Sequence, residues 1–143
     1  MQNIFDQHCA EGQKFIKELA LQLGQPQDLD HAYRVLRSVL HTLRHRIAVE
    51  ESMHIVSQLP LILKGVYIDG WKITDAISNS KTIEEFLAEV RSLDRVGPDF
   101  ADDISTRQKI KTVFLAIRQY VDDGEFRHML LGLPKEIAEE IAA

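Results

Sequence analysis

Apolar residues recur at helical spacing along almost the whole chain. Between positions 32 and 47 they fall at Ala32, Tyr33, Leu36, Val39, Leu40, Leu43 and Ile47. At about 100° per residue these share one broad stripe, and Arg34, Arg37, His41, Arg44 and His45 take the opposite arc. No stretch alternates with period two for long enough to predict a strand. The pattern breaks at Gly24-Gln25-Pro26, Ala48, Pro60, Gly70, Gly97-Pro98, Gly124 and Pro134. Between the breaks it predicts helices over 3–23, 29–46 and 49–58, and a short one opened by Pro60. After a polar linker at 73–81, further helices are predicted over 82–93, 103–120, 123–132 and 134–142. Asp28 or Asp30 is the expected cap of the second helix, and Thr82 with Glu85 forms a capping-box pattern. Gly24 suits the left-handed position after the first helix. Gly12, inside that helix, costs roughly 1 kcal/mol relative to alanine.

The order of elements repeats. Residues 35–67 align on 109–141 at a constant offset of 74 without a gap. Six pairs are identical: Val39/Val113, Arg44/Arg118, Glu51/Glu125, His54/His128, Leu59/Leu133 and Pro60/Pro134. Ten pairs are apolar in both copies, among them Leu36/Ile110, Leu43/Ile117 and Leu63/Ile137. Any two amphipathic helices share apolar periodicity. A Leu-Pro break at the same phase is harder to obtain without duplication. The expected architecture is therefore all-α: one domain, 1–143, built as a helical bundle of two pseudo-symmetric, tandemly duplicated halves, 1–72 and 73–143.

The run from Ala32 through Tyr33-Arg34-Val35-Leu36-Arg37 to Arg44 resembles the signature of the bacterial family called domain of unknown function 2267. Val49-Glu50-Glu51, Gln58-Leu59-Pro60 and Tyr67-Ile68-Asp69-Gly70-Trp71 resemble it too, as do Ile4-Phe5-Asp6 and Glu85-Phe86-Leu87. The resemblance covers nearly the whole chain and is looser in the second half. It implies a compact all-helical bacterial protein of two related halves. It carries no established activity, so it transfers no catalytic residue.

Composition narrows the function classes. At 143 residues with 45% hydrophobic content, the chain has an ordinary globular core. The net charge of −5 argues against general coating of nucleic acid or anionic lipid, which needs surplus cations. The acidity is uneven. Residues 1–74 carry eight basic and eight acidic side chains, and residues 75–143 carry nine and fourteen. Five of the six histidines lie in the first half, which is expected to turn positive as pH falls through about 6.5. A single cysteine, Cys9, excludes an internal disulfide framework. The richest apolar stretch, 59–68, is far short of the roughly 20 residues of a membrane span. The N-terminus lacks a basic signal-peptide region. These features predict a soluble cytoplasmic chain with no membrane association.

Candidate chemistry reduces to three constellations. Glu51-x-x-His54 and Glu125-x-x-His128, with Glu18 and Glu89 on the leading helices, match the ligand inventory of carboxylate-bridged metal bundles. Against this, the motif residues lie opposite the apolar faces of their helices; the simpler reading is an exposed Glu/His contact. His41 and His45 at i,i+4 could also grip a metal, but they sit among arginines. Arg34, Arg37, His41, Arg44 and His45 form a basic helix face suited to an anion or an acidic partner, or simply to solvent. Tyr67 and Trp71 flank a turn and could line a binding pocket or cap the core. His8 is poorly placed to act as a base for Cys9, and no Gly-rich phosphate loop, serine elbow or His-Glu-x-x-His motif occurs. No cofactor is predicted. The expected function is a non-enzymatic protein-binding or regulatory module, with a protein partner or self-association. Metal binding through Glu51, His54, Glu125 and His128, or anion or nucleic-acid binding through the basic face, are the alternatives, nucleic acid being disfavoured by the charge.

Overall fold

The computed structural model describes residues 2–73, 77–78, 80, 82–94 and 99–143. The Gly97-Pro98 break and most of the predicted linker lie outside them. The described residues form eight helices and no strand: α1 (Ile4–Gln22), α2 (Leu29–Arg44), α3 (Val49–Gln58), α4 (Leu61–Ile68), α5 (Ile83–Ser92), α6 (Asp103–Arg118), α7 (Asp123–Leu131) and α8 (Lys135–Ala142).

Local chemistry sets the boundaries. Asn3 and Asp6 form a reciprocal capping box at the start of α1, and Gly24 follows its end at φ 82°. Asp28, Thr82, Asp102 and Asp122 each accept the backbone N–H three residues on, capping α2, α5, α6 and α7. Three expectations shift by a residue or two. Pro60 and Pro134 occupy the cap position rather than the first helical one, with extended backbone at ψ 152° and 140°. Helix α6 stops at Arg118 because a tighter turn forms, Tyr120 N–H donating to Ile117 O. Likewise α7 stops at Leu131, with Gly132 as its cap.

Helices α2 and α6 both span 16 residues at the offset of 74, and α4 and α8 both span eight at the same offset. Nine of the ten apolar pairs are buried in both members, including Leu40/Phe114, Ile47/Val121, Ile55/Met129 and Tyr67/Ile141. The tenth, Val56/Leu130, is partly buried in both. These residues join one core. Helix α2 packs on α1 and α4 from its own half and on α5 and α6 from the other. Each fully buried Leu or Ile contributes roughly 1.5–3 kcal/mol of transfer free energy. The halves approach closely at Gly132, where an added Cβ would lie 2.6 Å from Ile47 Cγ2.

The Gln58 side chain and the helix cap of α7 make a further junction. Gln58 Nε2 donates to Asp122 Oδ2 at 2.9 Å, and Asp122 N–H donates to Gln58 Oε1 at 2.8 Å.

Candidate functional site

The basic arc of α2 does not form an open cationic face. The end of α4 lies across it. His41 is 3% exposed and its Nε2 donates to Val66 O at 2.7 Å. Burial above all, with the nearby Arg44 and Arg37 charges, pushes its pKa down to about 4, against the opposing effect of the Val66 bond. Its ring is therefore neutral where the sequence suggested a titrating positive group. Arg44 is 6% exposed, and its Nη1 donates to Tyr67 O and Asp69 O, both at 2.8 Å. It satisfies carbonyls left over at the C-terminus of α4 and stands 5.7 Å from the Trp71 ring centre. Arg37 pairs with Asp69 at 3.7 Å, and His45 is a half-buried helix cap. Arg34 makes a two-pronged contact with Asp99, Nε to Oδ2 at 2.7 Å and Nη2 to Oδ1 at 3.0 Å. The expected solvent-facing stripe is thus largely fastening for other elements. A helical wheel gives an angle; it cannot say which element will cover that angle.

Tyr67 is fully buried rather than displayed. Its hydroxyl shares a 2.6 Å hydrogen bond with Ser52 Oγ, and burial, opposed by that bond, pushes its pKa up to about 12. Trp71 packs edge-on against it at 6.0 Å and is half-buried. Tyr67 belongs to the core, and Trp71 packs against it from the edge.

The paired Glu-x-x-His residues do not converge. His54 and His128 are exposed, Glu51 is half-buried, and Glu125 is 8% exposed with its Oε2 4.0 Å from His128 Nδ1. The burial of Glu125 departs from the expected outward facing, because α7 packs Glu125 with Phe126 and Met129. Glu89 accepts hydrogen bonds from Ser78 and Ser80, and Glu18 is exposed. Among the described residues no three His, Cys, Asp or Glu side chains are grouped to hold a metal. His41 Nε2 is already engaged, so the His41/His45 pair lacks one of its expected donor atoms.

A different site emerges between α1, α2 and α4. Cys9, Gly12 and Ile16 of α1, Tyr33 of α2, and Ile62 and Val66 of α4 line an apolar groove of about 260 Å³. Gly12 lets α1 and α4 approach, since a Cβ there would lie 3.0 Å from Ile62 Cγ1. Phe5, one turn before Cys9 on the same side of α1, is 76% exposed, and Tyr33 and Ile62 are 40% and 42% exposed. At the corresponding place in the second half a groove is bordered by Ile104, Arg107, Lys111 and Glu140 and is lined differently. At the offset of 74, Tyr33, Ile62 and Val66 correspond to Arg107, Glu136 and Glu140. There Arg107 Nη2 donates to Glu136 Oε1 at 3.0 Å and also to Glu140, and these bonds raise the guanidinium pKa. The buried positions match at this offset, but these outer positions are apolar in the first half and ion-paired in the second. Comparing the two halves at outward positions, rather than at core positions, is the signal that reveals the difference.

No described helix is long and apolar enough to cross a membrane. Residues 12–140 match the family described as "Uncharacterized conserved protein (DUF2267)". No curated protein matches the chain.

Proposed function

The chain belongs to this family of uncharacterised conserved proteins, and from that premise we propose that it is a non-enzymatic module that binds another protein through the α1–α2–α4 groove. The observation that carries the reading is the contrast between Tyr33, Ile62 and Val66 and their counterparts Arg107, Glu136 and Glu140. A second half with a matching core places charge at these positions, so an apolar surface there is not a requirement of the fold. The occupant is the apolar face of an amphipathic helix. The apolar side of α1 runs from Phe5 through Cys9 and Gly12 to Ile16, about 16 Å at 1.5 Å per residue. That length suits about three turns of helix, contacting by residues spaced i, i+3/i+4 and i+7. In this reading the two halves derive from one duplicated unit, one copy lining its groove with apolar side chains and the other with an ion-paired Arg107 and Glu140. The cell compartment proposed is the cytoplasm.

A photo-crosslinking residue at Gln13, which lines the groove, tests this in cells that express the protein. The expected product maps to an amphipathic helical segment of another protein and disappears when Ile62 and Val66 become Glu. A product linking two copies of this chain, or one unaffected by those substitutions, contradicts the reading.

A further inference from the structure

The α4 wall of the groove is held by polar contacts that the second half lacks. Helix α4 has eight residues, and only Leu63 and Tyr67 of them are buried. A helix that short does not persist in water without help from its surroundings. Its C-terminal end is fastened to α2 through carbonyls. His41 Nε2 donates to Val66 O, and Arg44 Nη1 donates to Tyr67 O and Asp69 O. Val66 itself lines the groove.

The corresponding helix, α8, lies on α6 without this fastening. At the offset of 74, His41 corresponds to Leu115 and Val66 to Glu140. Leu115 is 42% exposed, and Arg118, the counterpart of Arg44, is exposed as well. A buried histidine at this place is therefore not a requirement of the helix arrangement. It is confined to the half that carries the apolar groove.

Protonation of His41 acts on the fastening directly. The hydrogen on Nε2 stays, but the ring gains a charge at a place where it is 3% exposed. The charged groups that act most on it are Arg44 and Arg37 of its own helix and Asp69 beyond α4. None of these comes from α1, α5 or α6, which also pack on α2. Both arginines repel the protonated ring, and the one carboxylate that attracts it is 64% exposed and screened by solvent. The charge is disfavoured while α4 covers the ring and is solvated once α4 moves away. The fastening is thus at full strength above pH 6.5 and weakens as pH falls towards 4. Across that window the balance moves towards release by up to about 300-fold, which is two and a half powers of ten.

We propose that α4 is a movable wall, and that protonation of His41 releases it from α2 and dismantles the groove, so that the partner is let go in acid. This inference rests on the reading of the groove as a binding site.

Trp71, the only tryptophan, packs on Tyr67 at 6.0 Å just beyond α4 and reports on that helix. Cys9, the only cysteine, lines the groove and takes an environment-sensitive dye. Both signals and the far-UV helix signal of the full chain are followed from about pH 7 to about pH 4. The expected result is a reversible change of Trp71 and of the dye at one midpoint, with no more helix lost than the eight residues of α4 account for. His41→Leu, which installs the second half's residue, and His41→Gln, which keeps a donor for Val66 O, should each abolish the transition; either one folded at neutral pH decides. Absence of the transition, its persistence in a folded variant, a Trp71 change that comes only with general loss of helix, or one that the Cys9 dye does not follow overturns the proposal. Neither fluorophore needs a partner, so this result and the crosslinking result at Gln13 fail separately.

Discussion

His31 Nδ1 lies 2.6 Å from Asp99 Oδ1, joining the first turn of α2 to the segment before α6 across 68 positions of sequence. With the two bonds from Arg34 this makes Asp99 a buried charged tie between the halves. Removing one partner of such a network leaves the others desolvated and uncompensated. Asp99→Ala should lower the unfolding free energy by about 3–5 kcal/mol in urea titrations. A loss below about 1 kcal/mol would show that the tie contributes little.

His41 makes stability depend on pH. Its folded pKa is about 4 against the ordinary histidine value of 6.5, so the unfolded chain binds more protons between those values. The stabilising contribution is present above pH 6.5 and is lost as pH falls towards 4. Over that window the loss is about 3 kcal/mol. Because other groups also titrate there, the comparison is with His41→Gln, whose amide can still donate to Val66 O. Its stability should fall less steeply across the same window; parallel curves would remove His41 as the cause.

The seam at Gly132 is tightly packed. Its Cβ would meet Ile47 Cγ2 at 2.6 Å and Leu43 Cδ1 at 3.0 Å, both buried side chains of α2. Gly132→Ala should therefore destabilise by about 1–3 kcal/mol through crowding, despite alanine's lower backbone entropy cost. Calorimetric melting checks the sign. A raised Tm would mean that the seam relaxes freely.

Arg44 and Arg118 are the same residue at equivalent positions, yet they have different surroundings. Arg44 is buried on the α4 carbonyls, whereas Arg118 is exposed with its guanidinium 4.9 Å from the Phe126 ring centre. Arg44→Met should cost about 1.5–3 kcal/mol and Arg118→Met no more than about 1 kcal/mol. Equal losses in chemical denaturation would contradict the assigned roles.

This pair also shows what the sequence could convey. Apolar periodicity, Leu-Pro breaks and side-chain caps are local, and they predict eight helices with ends near those observed. The buried set follows, because it repeats the same stripe twice. The site residues depend on tertiary neighbours. Nothing within α2 signals that α4 covers His41 and Arg44 while Arg118 stays in solvent. Likewise, the His31–Asp99 bond spans too many residues to be read from spacing. Tyr67 was recognisable as a large aromatic at a turn, but its full burial depends on Ser52 answering its hydroxyl. The groove is written in the sequence only as a difference between positions offset by 74, at Tyr33, Ile62 and Val66.

The central claim is that the groove is maintained for a partner and not for the fold. The direct measurement gives the first half the residues of the second, in the combined variant Tyr33→Arg, Ile62→Glu, Val66→Glu. Its melting temperature and its affinity for the helical segment crosslinked at Gln13 are then compared with those of the unaltered chain. The account predicts a folded protein with nearly unchanged Tm and at least about a hundredfold weaker binding, since about 3 kcal/mol of apolar contact is lost. Unfolding of the variant, or a folded variant that binds the segment undiminished, would contradict it.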